Sequence, residues 1–281
     1  MDFSKDSLAF WATIAGTVLA FLGLIQSHAW LAGIGAILLV GSAMAILYAR
    51  MQRRRLLFAA LKVEGRSIDS LNMANLNRRL NRTLLIQEAD HIAEIDGNDL
   101  TITWQYSGYC RAEREAVFEF SMDADNNTPF DELELFAFDL GHDQRRGHKI
   151  HPILVGPDGI SKKVAVPFEE PLSNHEPFCI SLTCVLPGCI KSGVEYYTST
   201  LSFDQSEIRR HTVSLKFLGS RPEWLRVYDC GQSSVPTLLK ELRSTRESAA
   251  FTEYLDLTEN MPAQSARIYV FRRTEQMRRA A

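Results

Sequence analysis

The chain has 281 residues and a net charge of -3, so it lacks the broad basic surplus that drives non-specific nucleic-acid binding. Its five cysteines are an odd number without the spacing of a disulfide framework, which argues against a small disulfide-stapled secreted domain. A chain of this length has room for one good-sized domain or two small ones, and one domain is preferred.

The first stretch, 7–49, contains no Asp, Glu, Lys or Arg. It holds two apolar runs, 7–25 and 29–49, and each approaches the roughly 20 residues that an α-helix needs to cross a bilayer. Only three residues separate the runs, so residues 1–49 are predicted to form a transmembrane helical hairpin. A cleaved signal peptide in residues 1–25 is the alternative.

Basic residues follow the second run and set the predicted orientation. Lys and Arg near membrane segments stay on the cytoplasmic side. We therefore expect a multi-pass protein of the cell inner membrane with both termini cytoplasmic. The basic residues at the membrane surface are Arg50, Arg53, Arg54 and Arg55.

Small residues recur within the two apolar runs, and such residues let helix backbones approach closely in lipid. They either pack the two helices of one hairpin or leave a stripe for other copies of the chain, which would give a homo-oligomer. The residues are Ala12, Gly16, Ala20, Gly33, Gly41 and Ala45.

Residues 50–90 are predicted to form a basic amphipathic helical linker, because apolar residues recur among Arg and Asn at helical spacing up to about residue 86. Such a linker is either a connector on the membrane surface or a helix for self-association.

Strand patterns begin near the turn Asp96-Gly97-Asn98-Asp99, where a DG pair predicts a hairpin. After it, Leu100, Ile102, Trp104 and Tyr106 alternate with polar residues. Residues 91–230 are therefore predicted to form a mainly β domain, an immunoglobulin-like β-sandwich, with a closed barrel as the alternative. Further strands are predicted at 117–122, 133–140, 150–155, 163–168, 178–186, 194–203, 212–218 and 224–228.

Residues 231–281 are predicted to form a C-terminal extension. Pro236 is well placed in the first turn of a helix to about residue 247. An apolar run at 266–271 then predicts a last strand before a basic tail.

The sequence contains no recognisable catalytic motif, so we expect no catalytic residue, no cofactor and no enzymatic activity. Asp123, Asp125 and Asn127 resemble part of a calcium loop but lack its glycine, and a solvated turn is the better interpretation. A loop with three histidines, His142, His148 and His151, lacks a zinc spacing. No metal site is predicted.

One strand carries a candidate ligand face. Trp224, Arg226 and Tyr228 alternate along it, and aromatic and Arg side chains on one face can stack a base or nucleotide. Packing at the edge of a sandwich explains the same pattern.

The layout resembles the two-transmembrane effectors of bacterial anti-phage systems: a charge-free hairpin at 7–49, a basic stop at 50–55, and strands from 92 to 228. Candidate relatives are the membrane toxins paired with retron reverse transcriptases and the β-rich effectors of cyclic-oligonucleotide signalling. The resemblance implies a resting protein whose β-domain senses a trigger and whose hairpins then oligomerise and disrupt the inner membrane. The implied partners are the lipid bilayer, further copies of the chain, and either a reverse transcriptase with its nucleic acid or a nucleotide second messenger.

Two other functions stay open on the sequence alone. One is a membrane-tethered binding or scaffold module that recruits a cytosolic partner, or binds a nucleotide, without permeabilising the membrane. The other is a membrane-bound hydrolase without a recognisable motif, which would need a pocket lined by convergent polar groups.

Overall fold

The computed structural model describes residues 61–64, 66–68, 80–123, 128–141, 147–156, 158–159, 161–191, 193–219, 221–230 and 236–274. This part of the chain is mainly β, as predicted, with one 3-10 turn at Phe130–Glu132. Its strands are β1 (Leu61–Val63), β2 (Arg66–Ile68), β3 (Leu84–Asp96), β4 (Asp99–Cys110), β5 (Glu115–Asp123), β6 (Glu134–Asp139), β7 (His148–Ile150), β8 (Ile153–Leu154), β9 (Ser161–Leu172), β10 (Pro177–Leu186), β11 (Val194–Leu218), β12 (Trp224–Asp229), β13 (Thr237–Glu241), β14 (Arg246–Glu247) and β15 (Phe251–Arg272).

Most strands belong to one ten-stranded sheet with the order β13-β12-β15-β11-β3-β4-β10-β6-β7, in which β14 also pairs with β15. A second sheet has the order β5-β9-β8, and β1 and β2 form a hairpin. All neighbours are antiparallel except β3 and β11. The predicted DG turn connects β3 to β4, where Asp96 pairs with Asp99 and Gly97 has a φ of 55°.

Two long strands, β11 and β15, pair along most of their length and fold back together. Their register shifts between Ser202 and Glu207. Ser199 and His211 lie 12 residues apart on β11, which would separate them by roughly 40 Å in a straight strand. Their side chains are nevertheless 2.9 Å apart, so the two halves of β11 face each other across the interior.

The side chain of Gln205 stabilises this bend. Its amide Nε2 donates to the carbonyl oxygens of Ile86 and Glu207, at 2.6 and 2.7 Å, and its Oε1 accepts from Ile86 N at 2.8 Å. These bonds occupy backbone groups where the regular ladder is interrupted.

Two buried clusters form the interior. In the first, Phe118 and Phe120 of the small sheet pack against Tyr106 and Ile180 of the large sheet. The second lies inside the folded-back part of the large sheet and includes Phe217 and Phe271. Trp104 and Leu186 are partly buried and pack against both clusters. The predicted alternation of Leu100, Ile102, Trp104 and Tyr106 on the inner face of β4 is confirmed by their shared packing.

The predicted location as a multi-pass inner-membrane protein with cytoplasmic termini is corrected. Within the described ranges, no helix has the length and apolar character needed to cross a bilayer. Residues 1–49, which carry the predicted hairpin, lie outside the described residues, as do the four arginines from Arg50 to Arg55.

The prediction of a helical linker over 50–90 is wrong where the chain is described. Residues 61–63, 66–68 and 84–90 are strand. Leu84 and Ile86 are both buried, and their spacing of two residues suits a strand face. The pairing of these residues in sheets outweighed the helical spacing of apolar residues on which the prediction was based.

The predicted helix at 236–247 is also wrong. Thr237–Glu241 is strand β13, which pairs with β12 at the edge of the sheet. Strand β15, within the predicted C-terminal extension, lies between β12 and β11 inside the same sheet. The predicted boundary at residue 230 therefore separates β12 from its partner β13. Two predicted strands, 194–203 and 212–218, form the single strand β11.

Candidate binding cavity

A cavity of about 180 Å³ lies where the two buried clusters meet. Alternation along β4 directs Leu100, Ile102, Trp104 and Tyr106 to one face, and all four line the cavity. For scale, an apolar cavity of roughly 150 Å³ in another protein binds benzene. Leu80, which precedes β3, also lines the cavity. The other lining residues come from β5, β11, the segment 186–190 and the region around the 3-10 turn: Glu119, Phe120, Ser121, Thr128, Glu132, Leu133, Leu186, Pro187, Cys189, Ile190, Glu195, Tyr196, Tyr197, Thr198, Thr200, Ser202 and Phe203.

The charged residues among the described part of the lining are acidic. Glu119, Glu132 and Glu195 line the cavity, and the described lining includes no Lys, Arg or His. Glu119 is paired with Lys163 at 2.5 Å, and Glu195 accepts a hydrogen bond from the backbone of Lys191 at 2.8 Å. Among these described residues, a phosphate group would find no cationic side chain.

One wall of the cavity is the first half of β11. Among the described strands, Val194–Ser202 pairs with β15 on one side, and β3 pairs only with residues from Arg210 onward. At the end of this stretch, Ser202 O accepts a hydrogen bond from Leu80 N at 2.9 Å. Residues of this stretch and of β4 together line the cavity.

Behind the aromatic wall lies a buried polar chain. Tyr106 Oη is 2.9 Å from His91 Nε2, and Ser199 Oγ is 2.9 Å from both His91 Nδ1 and His211 Nε2. Tyr197 Oη is 3.3 Å from His91 Nδ1. His91, Ser199 and His211 are almost completely buried. The chain thus connects two cavity-lining tyrosines to a histidine deep in the sheet.

Both histidines of this chain are held neutral. Burial, reinforced by the neighbouring His211, lowers the pKa of His91 well below its usual value. Burial and then the Arg267 charge lower the pKa of His211 to about 4, although Asp256 acts in the opposite direction. Burial also raises the pKa values of Tyr106 and Tyr197, so their hydroxyl groups stay protonated.

A second buried group is charged. Asp256 accepts hydrogen bonds from Lys240 at 2.6 Å, Tyr269 at 2.8 Å and Arg267 at 2.9 Å. Burial raises the pKa of Asp256, but the hydrogen bonds from Lys240 and Tyr269 lower it by more, so the net shift is downward. Because each charge has partners, this group stabilises the junction of β13 and β15.

The predicted ligand face on β12 is assembled but already has partners. The guanidinium of Arg226 lies 4.6 Å from the Trp224 ring centroid. Arg226 also donates to Glu64 at 2.8 Å and to Glu241 at 3.2 Å, and the Tyr228 hydroxyl donates to Glu64. These hydrogen bonds, first from Tyr228 and then from Arg226, lower the pKa of Glu64. Glu64 belongs to the turn after β1, so the chain itself covers part of this face.

The loops with possible metal ligands lie partly outside the described residues, which omit 124–127 and 142–146. His148 is exposed and pairs with Glu169 at 3.0 Å. In the part of the chain that the structure describes, no three His, Cys, Asp or Glu side chains come together in a way that could hold a metal ion. The small residues from Ala12 to Ala45 also lie outside it.

The sequence interpretation missed His91 and His211. His91 occupies an inward position of β3 between the buried residues Ala89 and Ala93, and His211 precedes the buried Val213 and Leu215 on β11. A histidine at the inward position of a strand was therefore the sequence feature that could have identified these residues. Their contact through Ser199 depends on the bend of β11, which the sequence did not indicate.

No protein-family model matches the sequence, and no curated protein matches it. Solved structures that do match include an M1 zinc metallopeptidase from Deinococcus radiodurans, with 14% identity and a TM-score of 0.45 over 69% of this chain and 43% of that chain. A two-domain M1 zinc metallopeptidase mutant bound to L-arginine matches with 14% identity and a TM-score of 0.44 over the same shares. A similar mutant bound to L-tryptophan has 14% identity, a TM-score of 0.42 and coverage of 69% and 44%.

The chain therefore spans less than half the length of these peptidases. Because the matches are enzymes, they contradict the prediction that the chain is not an enzyme, and we withdraw it. At this identity and TM-score they assign no activity to the chain.

Proposed function

We propose that the β-domain is a binding module that takes a small apolar ligand into the cavity between β4, β5 and β11. The observation that carries this proposal is the cavity itself, at the junction of two otherwise closely packed clusters. Ligand sites are typically concave, mostly apolar and supplied with a few polar groups, and this cavity has those features.

The walls indicate the chemistry of the ligand. Trp104, Tyr106, Tyr197, Phe120 and Phe203 supply aromatic surfaces, and flat apolar molecules pack well against such rings. The lining residues that the structure describes include no cationic side chain to neutralise a phosphate. An uncharged ring-containing molecule therefore fits better than the nucleotide second messenger considered from the sequence.

A finer description of the fold accompanies this proposal. The packing of β5 and β9 against β4 and β10 supports a β-sandwich, and the immunoglobulin-like version of it is retained here as a proposal. The role as an anti-phage effector whose hairpins oligomerise and disrupt a membrane stays a prediction. A plaque assay on cells that carry the gene would test it.

Ligand binding is tested by thermal unfolding of the full-length chain with isopropylbenzene as the probe. A ligand that binds only the folded state raises the unfolding temperature. We expect such a rise for the wild type and none for Leu186→Trp, because Leu186 lines the cavity and a larger ring would fill it.

The matched control is Leu238→Trp, which adds the same volume at an exposed position of β13. This variant is expected to respond to the probe as the wild type does. An equal response from Leu186→Trp, or no response from the wild type, would contradict the proposal.

A further inference from the structure

The polar chain behind the cavity has a direction, and that direction bears on the ligand. His211 Nδ1 is a buried side-chain nitrogen with no hydrogen-bond partner in the described structure. The nitrogen can carry either a lone pair or a hydrogen. An unpaired buried N–H is a donor left unsatisfied, and here it would also lie on a ring that experiences the positive charge of Arg267. The proton of neutral His211 is therefore placed on Nε2.

The distances along the polar chain fix the direction of its other hydrogen bonds. His211 Nε2–H donates to Ser199 Oγ at 2.9 Å, and Ser199 then donates its hydroxyl hydrogen to His91 Nδ1, also at 2.9 Å. Because neutral His91 carries a single proton, that proton is on Nε2. His91 Nε2–H consequently donates to Tyr106 Oη at 2.9 Å. The chain runs from His211 towards the cavity.

Tyr106 is the last member of the chain, and its hydroxyl accepts from His91. Its own O–H hydrogen has no acceptor among the described residues. Tyr106 is buried, lines the cavity and is surrounded by the rings of Phe118, Phe120 and Phe203. A buried hydroxyl hydrogen without an acceptor costs free energy, which a ligand oxygen can recover.

We infer that the ligand carries an uncharged hydrogen-bond acceptor, of the carbonyl type, next to its flat apolar part, and that the Tyr106 hydroxyl donates to it. This inference rests on the proposed function and specifies the ligand class of the same site. His91, Ser199 and His211 are positioning residues, because they direct the Tyr106 hydrogen without touching the ligand.

Three probes of equal heavy-atom number and nearly equal shape test the inference: acetophenone, isopropylbenzene and 1-phenylethylamine. They place a ketone, an isopropyl group and an amine cation on the same ring. Calorimetric titration of the full-length chain should give about tenfold tighter binding of acetophenone than of isopropylbenzene, the value of one hydrogen bond.

Tyr106→Phe should remove this preference and leave isopropylbenzene binding intact. Tyr109→Phe is the matched control, because Tyr109 is an exposed tyrosine of the same strand outside the cavity lining, and it should keep the preference. Ser199→Ala is the second variant. It interrupts the chain, so the Tyr106 hydrogen can turn to His91, and the ketone preference should fall although Tyr106 is still present.

Each contrary result has a distinct meaning. Equal binding of ketone and hydrocarbon by the wild type, or a preference that survives Tyr106→Phe, overturns the inference but leaves the cavity as a binding site. Tighter binding of the amine also overturns it, because the acidic lining would then determine selectivity. Failure of all three probes to bind the wild type overturns the proposed function itself.

Discussion

Two aromatic faces of this protein, on β12 and on β4, differ in what lies against their side chains. On β12, Trp224 and Arg226 stack, and Glu64 and Glu241 bind the Arg226 guanidinium. On β4, Trp104 and Tyr106 face a cavity of about 180 Å³. The sequence pattern is similar in both strands, since aromatic residues alternate with other residues. The difference lies in whether a distant segment of the same chain covers the face.

The comparison shows why an aromatic and basic pattern alone does not identify a binding face. A hairpin near the start of the described chain, β1–β2, supplies Val63 and Glu64 to the β12 face. Within the described ranges, a cavity lies in front of Trp104. We therefore expect substitutions on the β4 side and on the β12 face to differ in how much stability they remove and in how that loss depends on pH.

The largest effect is expected from Gly108→Ala, which disturbs β4, the strand that carries Trp104 and Tyr106. A Cβ added at Gly108 would lie 1.8 Å from the backbone oxygen of Leu85 on the paired strand. Strands β3 and β4 would have to separate, and we expect a loss of about 3 kcal/mol or more in the free energy of unfolding. Urea unfolding measures it.

The matched control for this change is Gly159→Ala, because a Cβ there meets no atom within 4 Å and Gly159 has no positive φ. Its unfolding midpoint should stay close to that of the wild type. Equal midpoints for the two variants would show that the close approach of β3 and β4 is wrong.

The pH dependence of the free energy of unfolding should distinguish the two faces. The folded pKa of His211 is about 4, against 6.5 for the ordinary side chain, and that of His91 is also lowered. Below pH 6.5 the unfolded chain binds more protons, so stability falls as pH decreases. For His211 this amounts to about 3 kcal/mol between pH 6.5 and pH 4. His211→Gln should flatten this slope, and an unchanged slope would argue against a neutral buried His211.

The smallest effect is expected on the β12 face. Glu64→Gln weakens the bonds to Arg226 and Tyr228, and because these groups are partly exposed we expect a loss of about 1 kcal/mol. The pKa of Glu64 is lowered, so its contribution is present above pH 4.5 and is lost as pH falls below that value. Between pH 6.5 and pH 4.5 the slope of Glu64→Gln should match that of the wild type.

Local patterns were sufficient to predict much of the fold. Alternation identified β4 and its inward face, and the DG turn located the β3–β4 hairpin. The bend in β11 was not predictable in this way, because the polar residues around Gln205 look like a connection between two strands. The pairing with β15 on both sides of this point and the contacts of Gln205 with β3 show that the strand continues.

The candidate site was predicted only in part. Trp104 and Tyr106 were assigned to one face, but the cavity depends on β11, β5 and the segment 186–190 coming together. Strand β13 was mistaken for a helix because its pairing with the preceding strand β12 overrides local helix signals. The parts of the site that the sequence did not predict are those formed by contacts between residues distant in the sequence.

The most direct test of the central claim compares the indole N–H signals of Trp104 and Trp224 in nuclear magnetic resonance spectra during titration with isopropylbenzene. Spectra of Trp104→Phe and Trp224→Phe identify the two signals. The account predicts that the Trp104 signal moves with added probe while the Trp224 signal stays in place. Movement of the Trp224 signal with an unchanged Trp104 signal would contradict it, because the β12 face would then be the binding site.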